Sequence, residues 1–174
     1  VRVNPYIEPL LRNAIDLLNR PVSTPAELED HWTAHGLPAQ HPTTAADLRE
    51  VDHFLDGLRR AVDASTETER VDILNAMLTR FTVGPSITDH DGSGWHLHYR
   101  DPEAGFGATL AGATSAAAAQ YLTDRGMHRL HRCAAEDCAN AFVDFSRPGT
   151  QRYCTHPCAN RDAVRRYRTA TRTR

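Results

Sequence analysis

The sequence predicts a mainly α protein with small β-hairpins (α+β): a helical amino-terminal domain, residues 1–127, followed by a compact carboxyl-terminal module, residues 128–174. Three observations lead there. Apolar residues recur at three- and four-residue steps through most of the first 124 positions, the signature of amphipathic helices. The period shifts to two around residues 86–99, as in a hairpin. All four cysteines, Cys133, Cys138, Cys154 and Cys158, lie in one late stretch.

The chain has 174 residues, enough for one ordinary domain and a small module. It is 40% hydrophobic and 24% charged, the balance of a soluble globular protein. No apolar run approaches the roughly 20 residues that cross a bilayer, so no membrane partner is expected. Nothing at the amino end resembles a targeting segment, which predicts a cytoplasmic, reducing environment. The net charge of −2 hides an asymmetry. Residues 1–128 hold ten arginines and eighteen acids, and residues 129–174 hold ten arginines and four acids. An acidic body with a basic tail suits a nucleic-acid reader that carries a separate regulatory domain.

In chain order, residues 5–19 predict a first helix, with Ile7, Leu10, Leu11, Ala14, Ile15 and Leu18 on one face. Thr24-Pro25-Ala26-Glu27 is a capping box with proline at the first helical position, and its helix runs past Trp32 to Gly36. Thr44 caps a third helix striped by Leu48, Val51, Leu55, Leu58 and Val62. After a polar break at 63–68, Val71, Leu74, Met77, Leu78 and Phe81 mark a fourth. Ser86–Thr88 and Trp95–Tyr99 flank the glycine-bearing loop 89–94 and read as a hairpin. Trp95, Leu97 and Tyr99 share one of its faces, and His96, His98 and Arg100 share the other, read as solvated. Residues 107–124 are rich in alanine and glycine and predict a helix that packs closely at the centre, ended by Gly126. Trp32, Trp95 and Tyr99, with His96 and His98, are the candidates for a small-molecule effector pocket in this domain.

The cysteines form two pairs, with four residues inside the first, three inside the second and fifteen between. Two chelating pairs joined by a hairpin bring four thiolates to one tetrahedral ion at low loop-closure cost, so one structural zinc is expected on Cys133, Cys138, Cys154 and Cys158. His131 and His156 are close enough in sequence to replace a cysteine. Phe142, Val143 and Phe145 are strand formers, Pro148-Gly149 is a turn, and the second pair opens a helix near Thr155 or His156. A knuckle, a hairpin and two ligands at a helix start is the layout of a treble-clef finger. In the last helix Arg161, Arg165, Arg168 and Arg172 fall on one face, with no acid after Asp162. A one-signed stripe repels itself unless anions meet it. Ala159, Ala163, Tyr167 and Ala170 lie opposite, positioned to pack on the zinc module.

These residues carry a family resemblance. Cys133 and Cys138, then Phe142, Asp144, Ser146 and Arg147, then Arg152-Tyr153-Cys154, then Cys158-Ala159-Asn160-Arg161 resemble the CGNR-type zinc finger of bacterial proteins. Ala159 stands where that family usually has glycine. The segment Ala14-Ile15-Asp16-Leu17-Leu18-Asn19, the tryptophan of the second helix and the Leu-Arg-Glu of the third are similar to the ABATE domain that precedes such fingers. The resemblance implies a stress-related transcription regulator with a DNA-binding finger and a helical, ligand-sensing domain.

The expected function is a DNA-binding transcriptional regulator associated with the nucleoid. Arg147, Arg152, Asn160, Arg161, Arg165, Arg166, Arg168 and Arg172 are the candidates for contact with double-stranded DNA. Asp144 is placed to orient Arg147 or Arg161. A homodimer reading two half-sites is the default arrangement. The competing reading is an RNA-binding or protein-interaction zinc module. An enzyme is not expected: nuclease chemistry needs a second metal and a carboxylate set, and only His156 is at hand.

Overall fold

The structure, a computed structural model, describes residues 6–37, 42–89 and 94–172. Helices α1 (Ile7–Asn19), α2 (Pro25–Ala34), α3 (Ala45–Asp63) and α4 (Glu67–Phe81) precede the hairpin β1 (Ser86–Thr88) and β2 (His96–His98). Then come α5 (Phe106–Arg125), a 3₁₀ turn (Met127–Arg129), the hairpin β3 (Leu130–Arg132) and β4 (Ala141–Val143), and α6 (His156–Arg172). Pro5, where the first helix was expected to begin, lies outside the described residues, as does the loop core at 90–93.

Local chemistry sets the boundaries. Thr24 and Glu27 exchange the two hydrogen bonds of a capping box, and Thr44 and Asp47 do the same for α3. Thr66 accepts the Glu69 N–H at the start of α4. Gly126 ends α5 at φ 113°, a conformation that a residue with a Cβ rarely adopts.

Helix α5 sits at the centre and packs on α1, α3 and α4. Its small residues permit this. A Cβ at Gly107 would lie 2.6 Å from the Asp47 carbonyl oxygen, and one at Gly112 would lie 2.6 Å from that of Phe81. The Asp47 carboxylate also accepts the Gly107 N–H at 2.7 Å, so α3 caps α5 across the interface. Burial pushes the Asp47 carboxyl up, but hydrogen bonds from Thr44 and Gly107 outweigh that and hold it below the usual range.

The core does not stop where the helical domain ends. Leu130, Ala141 and Val143 of the second hairpin join Leu11, Ala14, Ile15, Leu58, Ala118 and Leu122 in one apolar cluster. The pairing is antiparallel, with Leu130 opposite Val143 and Arg132 opposite Ala141. Asn19, at the end of α1, extends this ladder. Its side chain donates to the Ala141 carbonyl at 2.9 Å and accepts the Ala141 N–H at 2.8 Å, as a neighbouring strand would. Arg132 forks onto Asp63 of α3 at 2.8 and 2.9 Å. Buried Arg70 of α4 donates to the carbonyls of Ala61 (2.8 Å) and Met127 (2.7 Å), tying two helix ends to the chain that leads into the hairpin.

The first hairpin reverses one expectation. Ile87 pairs with Leu97, and both are exposed, as is Trp95 on the same face. The histidine face is the half-buried one, and His96 Nε2 lies 3.1 Å from His98 Nε2. Alternation was read correctly and its direction was not, because alternation alone does not say which face meets the body.

Gly107→Ala tests the close contact of α5 with α3. A β-carbon there meets backbone, which cannot rotate away. The variant should lose about 1–3 kcal/mol in urea unfolding, despite the gain in helix propensity. Stability equal to or above the parent would mean that the helices can part at no cost.

Candidate metal centre and basic helix

The four cysteine sulfurs lie within 4.8 Å of one another, brought together by the turn after β3 and the start of α6. Cys138 Sγ is 3.7 Å from Cys154 Sγ, and Cys154 Sγ is 3.6 Å from Cys158 Sγ. A disulfide would need about 2.05 Å. Four sulfurs around tetrahedral zinc, each about 2.3 Å from the ion, sit about 3.8 Å apart, so the donor set fits that ion. The surroundings favour thiolates. The Cys154 N–H points at Cys133 Sγ at 3.4 Å, and Arg161 Nη2 donates to Cys158 Sγ at 3.3 Å. Without a cation the cluster cannot fully ionise. The Cys158 thiol is held down at about 7, chiefly by the Thr155 hydroxyl, while burial and the neighbouring thiols push Cys154 up to about 12. A divalent ion removes that conflict. The cysteines hold one structural zinc ion; it fixes the knuckle and the first turn of α6 to each other.

The zinc cluster has its own small apolar lining, with Cys133, Cys158 and Ala135 buried and Tyr153 packed against them. This lining is separate from the main core. His131 is not among the clustered ligands; its ring packs on Phe142 with centroids 4.2 Å apart. His156 is exposed at the start of α6.

Helix α6 departs from the expected packing. Ala163, Ala170 and Tyr167, the last 71% exposed, all face solvent rather than the zinc module. Within α6 the residues that turn inward are Cys158 and Asp162. Asp162 accepts the Tyr153 hydroxyl at 2.6 Å and pairs with Arg165 and Arg166. The Tyr153 hydroxyl is the main influence holding the Asp162 carboxyl below its usual range.

The arginine stripe is not free of acids, because the zinc knuckle supplies them. Arg161 Nε donates to Asp137 at 2.8 Å, and Arg165 pairs with Glu136. Sequence reading looked for acids along the helix and missed those that the metal folds against it. Arg168 and Asn160 are exposed, and the Arg172 side chain lies outside the described residues. Arg147 and Arg152 are exposed on the loop before the second cysteine pair, with Arg152 5.9 Å above the Tyr153 ring.

Asp144 orients neither Arg147 nor Arg161. It is 1% exposed, and its carboxylate accepts the N–H groups of Ser146 and Gln151, each at 2.8 Å. Its carbonyl accepts the Tyr121 hydroxyl (2.8 Å) and buried Arg129 (2.9 Å). Arg129 also reaches the carbonyls of Arg125 and Ser146, so it staples α5 to the finger loop. A buried arginine that serves carbonyls has no sequence signal; it looks like any other basic residue.

The candidate effector residues Trp32 and Trp95 sit in different environments. Trp32 is buried edge-on against Phe106, with centroids 5.4 Å apart, while Trp95 is 80% exposed. Tyr99 is half-buried, and its carbonyl accepts the Val83 N–H. A different concavity, an open cleft of about 760 Å³, runs between α1 and the finger. Its body wall includes Arg12, Asp16, Arg20 and His35, and its finger wall includes Ser146, Gln151 and Thr155. Among the described residues no helix is long and apolar enough to cross a membrane.

Cys154→Ser tests the metal's role. The variant should retain less than one zinc per chain and lose far-ultraviolet helix signal corresponding to the 17 residues of α6. Full metal content, or an unchanged helix signal without metal, would contradict that role.

Comparison with known families agrees with this geometry. The CGNR zinc finger profile matches residues 129–170. The ABATE profile, described as "putative stress-induced transcription regulator", matches residues 9–125. No curated protein matches the chain. Both kinds are non-enzymatic. With its two profiles covering nearly all of the chain, the protein belongs to the ABATE family, in the form that carries a carboxyl-terminal CGNR zinc finger.

Proposed function

We propose that the protein is a DNA-binding transcriptional regulator that docks α6 on duplex DNA. The observation that carries this reading is the state of α6. Its one acid, Asp162, is turned inward and pairs with Arg166, while Arg168 stands exposed on the face it shares with Asn160, on a helix held at its base by zinc. Such a helix presents cations at fixed positions, which favours phosphate contact over a diffuse solvated face. Arg165 contributes by exchanging its exposed partner Glu136 for phosphate while buried Asp162 holds the other side of its guanidinium. Arg172 continues the same face in sequence. Arg147 and Arg152 lie on the loop before the helix and extend the basic surface.

Arg161 has a different part. It bonds both Asp137 and the Cys158 sulfur, so it offsets the thiolate charge and locks the knuckle to the helix. Its loss should weaken zinc retention more than it weakens DNA binding.

The helical domain serves as the regulatory half. The cleft between α1 and the finger has the volume of a small-molecule site and walls from both halves. An effector held there would touch Thr155, next to a zinc ligand and the start of α6. A homodimer would set two such helices on two half-sites.

Salt dependence of binding separates phosphate contact from other readings. Arg168→Ala should weaken binding to all duplexes alike and lower the slope of log affinity against log salt by about one. Binding should be measured by fluorescence anisotropy on random duplex DNA at several salt concentrations. If a variant with Arg165, Arg166, Arg168 and Arg172 all changed to alanine keeps its zinc and binds duplex DNA like the parent, α6 is instead a docking surface for an acidic protein.

A further inference from the structure

A second cluster of metal-ligating side chains lies away from the cysteines, where α1 meets α2. One carboxylate oxygen of Asp16 and one ring nitrogen each of His31 and His35 lie within 4.8 Å of one another. The two histidines are four residues apart on α2 and its cap, so they share a face. Their rings stack with centroids 5.0 Å apart and planes 22° apart.

The hydrogen bonds around His35 leave a specific deficit. Its Nδ1 lies 2.9 Å from the His31 carbonyl oxygen, which can only accept, and 3.5 Å from Asn13 Nδ2; the shorter contact favours a ring proton on Nδ1. Nε2 then presents a lone pair, and 3.1 Å away is the Asp16 carboxylate, which also presents lone pairs. Two acceptors at that distance need a cation between them: a proton or a metal ion.

Asn13 borders the cluster. It is 0% exposed, and its Nδ2 lies 3.0 Å from His31 Nδ1 and 3.2 Å from the His31 carbonyl. Its Oδ1 is buried and has no partner. An unpartnered buried carbonyl is costly. If His31 ligates a metal through Nε2, its proton moves to Nδ1, and an Asn13 amide turned over accepts that proton at Oδ1, as metal-bound histidines usually require. The turn gives up the Asn13 Nδ2 bond to the His31 carbonyl, so it belongs to the cost of metal binding. Arg20, 3.3 Å from the other Asp16 oxygen, is largely exposed and free to swing aside.

We propose that Asp16, His31 and His35 form a second metal site, for a divalent first-row cation of the zinc class. Two imidazoles and one carboxylate suit such ions and leave coordination positions open. Asp16 and His35 also line the cleft between α1 and the finger, so the open positions would face that cleft. The site rests on its own geometry and does not depend on DNA binding.

The experiment is metal counting on the full chain. Protein equilibrated with zinc in a chelator-buffered series should reach two zinc per chain by elemental analysis. Asp16→Asn and His35→Ala should each lose the second equivalent and keep the first. His96→Ala, which alters the other close histidine pair, should keep both. Thermal melts serve as the second readout: the parent Tm should rise between one and two equivalents, and that rise should vanish in Asp16→Asn and His35→Ala. Saturation of the parent at one zinc overturns the proposal and leaves Asp16 and His35 as hydrogen-bond partners. A second equivalent that survives in His35→Ala overturns it equally.

Discussion

The arrangement depends on the burial of one two-stranded hairpin against the helical body, whose first helix precedes it by more than a hundred residues. Leu130, Ala141 and Val143 complete the core formed by α1, α3 and α5, and Asn19 completes the ladder at Ala141. A hairpin of three-residue strands cannot hold together alone in water. Here the helical body supplies its apolar floor, and the zinc supplies the far side. The finger is therefore half body and half metal module. That is why Arg70, Arg129 and Arg132 spend their donors on carbonyls and on Asp63 at the junction rather than on solvent. It also fixes where α6 starts, because β4 leads through the Asp144 loop to the second cysteine pair.

Electrostatics divides the arginines by task. Those at the junction satisfy backbone acceptors that would otherwise be buried unpaired. Arg161 and Arg165 neutralise Asp137 and Glu136 and brace the zinc knuckle against α6. Arg166 pairs with Asp162 while staying largely exposed, and Arg168 remains outward on the exposed part of the helix. A count of basic residues treats all of these as one patch; the fold separates them into structural and available cations.

Much of this was legible in the sequence. The zinc ligands were readable because tetrahedral thiolate coordination requires paired spacing, and Cys133, Cys138, Cys154 and Cys158 have it. The capping boxes at Thr24 and Thr44 and the glycine stop at Gly126 act within a few residues, so they too could be read directly. Features that depend on distant partners could not. Asn19 looked like a helix end and serves as a strand surrogate. Asp144 was expected to hold an arginine and caps its own loop instead. Asp16 sits fifteen and nineteen residues before His31 and His35, with a turn between them, and no local motif links the three. The direction of the first hairpin also escaped, since a period of two is the same whichever face looks inward.

The central claim is that β3 and β4 belong to the helical core, whereas α6 belongs to the zinc. Native-state hydrogen exchange on zinc-free protein tests it most directly. The paired amides of β3 and β4 should keep protection close to that of α5, while amides of α6 beyond Cys158 exchange freely. Equal loss of protection in β3, β4 and α6 on zinc removal would contradict the account, because the finger would then be a separate unit held only by its metal.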